Sequence, residues 1–334
     1  MKEPLQKDFD NTIKNLSLSQ KDIEIKKFSL DNFINKGFPN RKEEDWKFSD
    51  LNQIINKNIG ELSFYNDYTS TNKVDTSVFV DGLEHNKIVF INGRVEKIDF
   101  DYEKKGQIEI IDQSETINKF DNNNSLSDLN NAFTNKCFKI VIKTGYQLLK
   151  PLIIYHTTNS KIWSKNINLR LDFELQEDSC LRLIDLFNDT SEKNFLNIFY
   201  NFNLKEDAIL KNYKVDKLEN KNIKYSFNNI VQNKNTISET FILSSGSNFF
   251  KSEINCNLKG EHSSAFVNGI FSLDKNKHHE IRTTINHLAE NTKSYQLIKS
   301  VLEDSSKAVY QGNCLLYTSP SPRDLSTSRM PSSA

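Results

Sequence analysis

The chain has 334 residues, with 44 basic and 44 acidic residues, 37% hydrophobic residues and 26% charged residues. A formal net charge of zero gives no electrostatic reason to expect a nucleic acid or an anionic membrane as a partner. With only 10 Gly and 6 Pro, the composition excludes a collagen-like chain and disorder driven by these two residues. The length allows about two domains or one large β domain.

Two further absences bear on the location of the protein. No apolar run approaches the roughly 20 residues that a transmembrane helix needs. The opening segment, MKEPLQKD, contains no apolar core of a secretory signal. The sequence therefore predicts a soluble, cytoplasmic protein.

The composition changes abruptly near the end of the chain. All 42 Asn residues lie at or before Asn313, whereas three of the six Pro residues follow it. The segment from Cys314 to Asp324, CLLYTSPSPRD, corresponds to one translated frame of a transposase sequencing adapter. We therefore expect residues 314–334 to be adapter read-through and the native part to end at Asn313.

Residues 1–65 have the pattern of a helical region. Leu30, Phe33 and Ile34 recur at helical spacing and predict a helix over residues 29–36. Ser29 is expected as its N-cap. Gly37 suits the position after the last helical residue, and Pro39 suits the stop.

A second helix is predicted over residues 43–56, where Glu43 to Asp45 complement the helix dipole. Trp46 and Phe48 are expected to form a buried aromatic pair. Residues 66–77 are polar and rich in Asn, Asp, Thr and Ser, which predicts a loop or linker.

From about Val78 onward the hydrophobic period changes to two. Residues 169–175, LRLDFEL, alternate strictly and predict a half-buried strand. We expect residues 66–160 to hold the linker and first strands and residues 161–313 to form an incomplete β core. Further apolar runs surround Ile140, Ile153, Leu183, Ile198, Leu210, Ile230, Phe241, Ile254, Phe266, Ile281 and Leu297.

The fold class follows from what lies between these runs. Long helical patterns are missing, which disfavours a sheet built from βαβ units. A sandwich, a barrel and a β-solenoid all fit the periodicity. Short irregular segments without Pro- and Gly-rich hairpin turns favour the solenoid, although no strict residue-level repeat is visible.

The sequence offers little conventional chemistry for catalysis or cofactor binding. It contains neither a G-x-x-x-x-G-K-[ST] loop nor a G-x-G-x-x-G loop, so any ATP hydrolysis would belong to a partner. Cys137, Cys180 and Cys256 are too widely spaced for a typical zinc or iron–sulfur site, and thiols packed in a β core are favoured. Spacing alone nominates no nucleophile–base pair.

Histidines cluster near the end of the chain, at His278, His279 and His287, next to Glu280. On a strand His278 and His279 point to opposite faces, whereas His279 and His287 share a face about 26 Å apart. We therefore favour solvated or hydrogen-bonded histidines over a metal site. The sequence nominates no catalytic, cofactor-binding or metal-binding residue.

Several segments resemble the SufB/SufD family of iron–sulfur cluster assembly proteins. RKEEDWKFSDL at 41–51 is similar to its R-x-x-E-x-W-K-[YF] element, VFING at 89–93 to its V-x-[VI]-N-G strand, and KPLII at 150–154 to its x-P-[IL]-x-[IL] strand. The most specific match is TTINHLAENTKSYQL at 283–297, followed by KSVLEDSSKAVYQG at 299–312. The early W-K-F element favours the SufD branch.

This resemblance implies a right-handed parallel β-helix core behind an N-terminal helical region. It also implies a non-catalytic subunit of a SufB–SufC–SufD complex, with SufC as the ATPase. No cofactor is expected to be held firmly by this chain, and an iron–sulfur cluster is expected only transiently at the level of the complex. The family's late C-S-H-G-A-T type segment and its C-terminal SufC-docking helices have no counterpart before Asn313.

Three other interpretations remain at this point. A SufB-type scaffold would carry functional cysteines in its core, and the three cysteines match no such motif. A β-helix polysaccharide lyase or hydrolase would need clustered carboxylates or arginines on one face. A solenoid adhesin, like that enzyme, would normally carry a secretory signal.

Overall fold

The computed structural model describes residues 2–16, 18–64, 77, 79–112, 124–134, 137–158, 162–188, 191–217 and 219–316. The predicted linker at 66–77 lies outside the described residues except for Ser77, and so does the segment 317–334. The described helices are α1 (Lys2–Asn15), α2 (Gln20–Lys36), a 3₁₀ turn (Glu44–Trp46), α3 (Leu51–Asn58) and α4 (Ser125–Phe133).

Strands make up about half of the molecule and occur mostly after His85. Their bounds are β1 (Ser63–Phe64), β2 (Asn86–Ile91), β3 (Arg94–Asp99), β4 (Ile108–Asp112), β5 (Cys137–Ile142), β6 (Leu152–Thr157), β7 (Lys165–Leu175), β8 (Cys180–Phe187), β9 (Phe195–Leu204), β10 (Ile209–Asp216), β11 (Asn220–Gln232), β12 (Ile237–Ser244), β13 (Ser247–Leu258), β14 (Ser264–Leu273), β15 (His278–His287), β16 (Lys293–Leu302) and β17 (Lys307–Leu316).

The strands form two sheets that face each other across a common core. Sheet one has the order β17-β15-β13-β11-β9-β7-β5-β4, with β1 beside β7, and sheet two has the order β16-β14-β12-β10-β8-β6-β2-β3. Consecutive strands from β7 onward alternate between the sheets and pair in parallel with the strand two positions away. This arrangement is a β-solenoid of about six turns behind a helical region, which confirms the expected fold class.

The solenoid has a repeat that its amino-acid sequence conceals. Side-chain hydrogen bonds join equivalent positions of neighbouring coils, and they span 28 residues from Asn194 to Asn222 and 29 residues from Asn168 to Asn197. In sheet two, Cys180 pairs with Ile209 at a similar spacing. The repeat is one of backbone geometry, because side chains differ from coil to coil.

The corner between the sheets shows the same repeat. In each corner that follows a strand of sheet one from β7 to β15, one residue has positive φ, a conformation that Asn, Asp and His adopt more readily than other residues except glycine. The series is Asp178, Asp207, Asn235, His262 and Asn291. Each of the first three donates its backbone N–H to a carbonyl of the next coil, at 2.9 to 3.1 Å, so the corners stack on one another.

The interior between the sheets is filled with Leu, Ile and Phe side chains. Every apolar run that was predicted from Ile140 onward lies within one of the strands β5 to β16. A second cluster joins α1 to α4 to the outer face of sheet one through Phe195, Phe199, Ile223, Tyr225 and Phe249. The helical region therefore covers sheet one.

The start of the first predicted helix was wrong. Helix α2 begins at Gln20 and not near Ser29, because Ser19 and Asp22 form a reciprocal capping box. Ser29 lies inside the helix and is buried. Gly37 has φ of 73° and donates its N–H to Phe33 O, which confirms the predicted C-terminal end.

The second predicted helix is interrupted. Its first part is a single 3₁₀ turn, and α3 begins only at Leu51, where the Asp50 side chain accepts from the Gln53 N–H. Of the expected aromatic pair, Trp46 is buried but Phe48 is 36% exposed. Phe48 instead carries the ammonium groups of Lys47 and Lys307 over its ring.

The strand predicted at residues 169–175 is mostly buried on both faces, not on one. Helix α4 lies against it: Asn130 donates to Leu169 O at 3.1 Å, and Arg170 donates to Asn131 Oδ1 at 3.0 Å. The polar alternation of this strand therefore serves helix packing and not exposure to water.

Candidate functional site

The segment that carries the W-K-F element docks on the outer face of sheet one. Trp46 lies 5.7 Å from the ring of Tyr225 on β11, and the Lys251 ammonium on β13 lies 4.6 Å from the Trp46 ring. The same ammonium donates to Asp45 O at 2.7 Å. A fully buried lysine thus fixes this segment by a cation–π contact and a hydrogen bond.

Beneath this segment, strands β13 and β15 place residues of opposite charge opposite each other at two positions. Lys251 pairs with Glu280 at 2.8 Å, in direct register. Burial would raise the pKa of Glu280, but His278 and Lys251 bring it down to about 2. Glu253 stands opposite Arg282 in the same register, but Arg282 turns away to Asp45 at 2.5 Å.

This choice of partner leaves Glu253 with a long ion pair to Lys251. It is 4% exposed, its Oε1 atom receives no hydrogen bond, and the Lys251 ammonium is 3.8 Å away. Burial raises the pKa of Glu253, against the opposing effects of Lys251 and Arg282. Glu253 lines a cleft of about 610 Å³, here called the Trp46 cleft, between residues 43–46 and strands β11, β13 and β15.

The most specific sequence motif has a structural explanation. Both ring nitrogens of His287 are engaged, with Thr292 Oγ1 at 2.7 Å and Ser294 Oγ at 2.9 Å. Thr283 and Tyr310 both donate to Gln296 Oε1. The residues of this motif therefore bond to one another, at the corner between β15 and β16 around His287 and between β15, β16 and β17 around Gln296.

The solenoid interior contains a buried ionic network. Asp185 accepts from Lys214 at 2.5 Å and from Tyr200 at 3.0 Å, and it lies 2.5 Å from His156 Nε2. Lys214 also donates to Ser226 at 3.1 Å. Burial alone would raise the pKa of Asp185, but Lys214 and His156 bring it below its usual range.

A second buried network lies further along the solenoid. Asp216 accepts from Lys224 at 2.9 Å and from both the N–H and the hydroxyl of Ser247. His279 contacts Ser244 Oγ and Ser247 O at 2.7 and 2.6 Å. Burial lowers the pKa of His279 to about 4, so the ring is neutral at pH 7.

The two networks have the same chemical consequence. Their acids, bases and hydroxyls satisfy one another inside the core, as buried charges must to be tolerated. Their hydrogen bonds join strands of neighbouring coils, for example Asp185 on β8 with Lys214 on β10.

The histidines and cysteines singled out in the sequence lie at different depths in the structure. His278 lies beside Glu280 on the outside of sheet one and His279 points inward, which confirms that they occupy opposite faces. Cys137 and Cys256 are buried, and burial raises the pKa of each thiol to about 12, whereas Cys180 is only partly buried. Among the described residues, no group of three or more His, Cys, Asp or Glu side chains could hold a metal ion.

The residues of the Trp46 cleft were not predicted from the sequence. Their signal is an alternation of charge in two strands, Lys251-Ser252-Glu253 and Glu280-Ile281-Arg282, at an offset of 29 residues. That offset equals one coil, so the coil length was needed to recognise it.

No helix in the described part of the chain combines the length and apolar character needed to cross a membrane.

Comparison with known proteins agrees with the fold and the motifs. Residues 156–319 match the family model of the SufBD core domain of the SUF system for iron–sulfur cluster assembly. The matched range begins in β6 and includes all later strands. The chain is also 22% identical over 291 residues to the iron–sulfur cluster assembly protein SufD of Escherichia coli (strain K12), covering 85% of this chain and 67% of that protein.

The chain therefore carries a SufBD core, a β-solenoid domain that serves iron–sulfur cluster assembly. It is a SufD-like protein. The resemblance drawn from the motifs at 41–51 and 283–312 is thereby confirmed.

Proposed function

We propose that the chain is a non-catalytic subunit of an iron–sulfur cluster assembly complex in the cytoplasm, in which it binds a SufB-type scaffold and a SufC-type ATPase. The observation that carries this proposal is the match of the SufBD core to the stacked coils, together with the similarity to SufD along 85% of the chain. In this proposal the cluster is the cargo of the complex, and the chain holds no resident cofactor.

The physical character of the domain supports a binding role. A solenoid gives each coil only its neighbours as contacts and presents long, regular outer faces to partners. On the outer face of sheet two, Tyr213, Ile270 and Leu297 are 37 to 42% exposed on three different coils. Exposed apolar side chains grouped on one face are typical of protein contact surfaces.

The test is co-expression with SufB and SufC from the same genome, with an affinity tag on this chain only. We expect both proteins to co-purify with the tagged chain and to elute with it as one species in size-exclusion chromatography. The ATPase rate of SufC, measured with and without the tagged chain, reports whether the contact is functional.

The control separates folding from recognition. The turn substitution Gly260→Ala should reduce co-purification because it disturbs coil stacking, whereas Glu261→Ala in the same turn should not. Co-purification of SufB with SufC while the folded, monodisperse tagged chain elutes alone would contradict the proposal.

A further inference from the structure

One hydrogen-bond acceptor of the Trp46 cleft, Glu253 Oε1, has no donor. Glu253 is in register with Arg282 and would be its natural partner, yet Asp45 on the docked segment takes the guanidinium. The Lys251 ammonium donates to Glu280 and to Asp45 O, and it lies 3.8 Å from Glu253 Oε1, which is an ion-pair distance but too long for a hydrogen bond. Glu253 therefore lines the cleft with one buried carboxyl oxygen, Oε1, that accepts no hydrogen bond.

A second acceptor lies further along the same cleft. Asn286 Oδ1 on β15 also lacks a hydrogen-bond partner, although its amide nitrogen donates to Asn257 Oδ1 at 2.8 Å. Asn286 stands four residues along the strand direction from Arg282, which corresponds to about 13 Å in an extended chain. The two acceptors are thus placed for an extended segment that runs along the strands.

The charges around the cleft define the ligand further. Glu43, Glu44 and Asp45 form one wall, and Glu253 lies in the opposite one. Glu44 is paired with Lys47, and Asp45 with Arg282, but the cleft still holds more carboxyl groups than cations. An anion would meet these carboxyl groups, and an apolar group would leave Glu253 Oε1 buried without a donor.

We propose that the Trp46 cleft binds an extended peptide segment of a protein partner through one basic side chain, whose guanidinium donates to Glu253 Oε1. A planar fork of N–H donors forms the strongest hydrogen bonds that a carboxylate can accept. The cleft volume of about 610 Å³ falls within the range of about 300 to 1,000 Å³ typical of ligand pockets. Leu315 also lines the cleft. It belongs to the segment expected to be adapter read-through, and the proposed contact with Glu253 does not involve it.

The groups that face Glu253 come from four elements. They are Lys251 on its own strand, Arg282 on β15, Tyr225 on β11 and Asp45 on the docked segment. Burial raises the pKa of Glu253 despite the hydrogen bond of the Tyr225 hydroxyl, whereas an incoming guanidinium would favour the ionised form of this carboxyl group. Binding should therefore strengthen as pH rises through the pKa of this group.

The experiment uses the full chain and two peptides, acetyl-Gly-Gly-Arg-Gly-Gly-amide and the same peptide with citrulline, a neutral isostere of arginine. Titration calorimetry or NMR shifts measure both affinities. We expect saturable binding of the arginine peptide and about tenfold weaker binding of the citrulline peptide. Glu253→Gln should reduce the affinity for the arginine peptide about tenfold and leave that for the citrulline peptide unchanged.

The matched control is Glu192→Gln, the same substitution at a residue 46% exposed in its side chain and paired with Lys221 on the surface. Thermal unfolding of both variants shows that they fold. Equal affinities for the two peptides, or an unchanged arginine affinity in Glu253→Gln, would overturn the proposal. Binding of spermidine that depends on Glu253, without binding of the arginine peptide, would overturn it in favour of a small polyamine.

Discussion

The Lys251 ammonium lies 4.6 Å from the ring of Trp46, although the two residues are far apart in the chain. Both side chains are buried, and Lys251 also pairs with Glu280 on the neighbouring strand. This contact couples the helical region to the solenoid. The segment around Trp46 is therefore part of the packing of sheet one and forms one wall of the Trp46 cleft.

Replacement of Lys251 by methionine should destabilise the protein strongly. The change leaves Glu280 buried without its ammonium partner, and removal of one member of a buried pair typically costs about 3–5 kcal/mol. The double variant Lys251→Met/Glu280→Leu should recover part of this loss. Urea unfolding monitored by circular dichroism measures the free energy of unfolding of the unchanged protein and of both variants.

The comparison for that experiment is Lys211→Met. Lys211 pairs with Glu239 at 3.4 Å on the same fold, but both side chains are 40 to 43% exposed. Such pairs contribute about 0–1 kcal/mol. If Lys211→Met and Lys251→Met lowered the free energy of unfolding by similar amounts, the buried pair would contribute no more to stability than the exposed pair.

Gly260→Ala should destabilise the corner after β13. An added Cβ would lie 2.0 Å from Lys234 N in the preceding coil, and backbone atoms cannot yield as a flexible side chain can. Overpacking of this kind costs about 1–3 kcal/mol or more. Differential scanning calorimetry should show a lower Tm for Gly260→Ala and an almost unchanged Tm for the exposed neighbour variant Glu261→Ala.

The stability of the protein should fall as pH decreases from about 6.5 toward 4. Burial lowers the pKa of His279 to about 4 in the folded state, so the unfolded state binds the proton more readily in this range. Integration over the shift gives about 3 kcal/mol for this residue. Burial also lowers the pKa of His85 and His287, which act in the same direction.

His279→Gln should therefore make the pH dependence shallower without abolishing it. Glu253 acts in the opposite direction, because its raised pKa gives stability at low pH that is lost as pH rises through the folded value. Urea midpoints between pH 4 and pH 7 measure the slope. A slope in His279→Gln equal to that of the unchanged protein would contradict this assignment.

Thiol reagents should distinguish the cysteines. Burial raises the pKa of Cys137 and Cys256 to about 12, so neither offers thiolate at pH 8. Cys180 is partly buried and Cys314 is exposed. Iodoacetamide under native conditions, followed by peptide mass spectrometry, should label Cys180 before Cys137 and Cys256, which should react only after unfolding.

Some features could be predicted from local sequence alone. Period-two alternation placed the strands, because one face of each strand must enter the core. Gly37 and Pro39 marked the end of α2 for reasons of backbone geometry. Family motifs added the solenoid and the SufD-like character, which periodicity left open between sandwich, barrel and solenoid.

Other features depended on contacts between distant parts of the chain. Ser29 could serve as an N-cap by type, but the reciprocal bonds of Ser19 and Asp22 determine where α2 begins. Asp and Asn at 178, 207, 235 and 291 carry the repeat, yet His262 interrupts the series, which hid the coil length. The polar alternation of β7 predicted exposure, and α4 covers that face instead.

The sequence by itself determined the strands, the family and the hydrogen-bonding types available, because these depend on residues close together in the chain. Only the tertiary structure decided which charges meet. Lys251 faces Glu280, and Asp45 takes Arg282 from Glu253, because the coil length and the docking of the helical region bring these side chains together. The pairing of charges depends on their distance in space. In the solenoid that distance is set by the register between strands of neighbouring coils, such as β13 and β15.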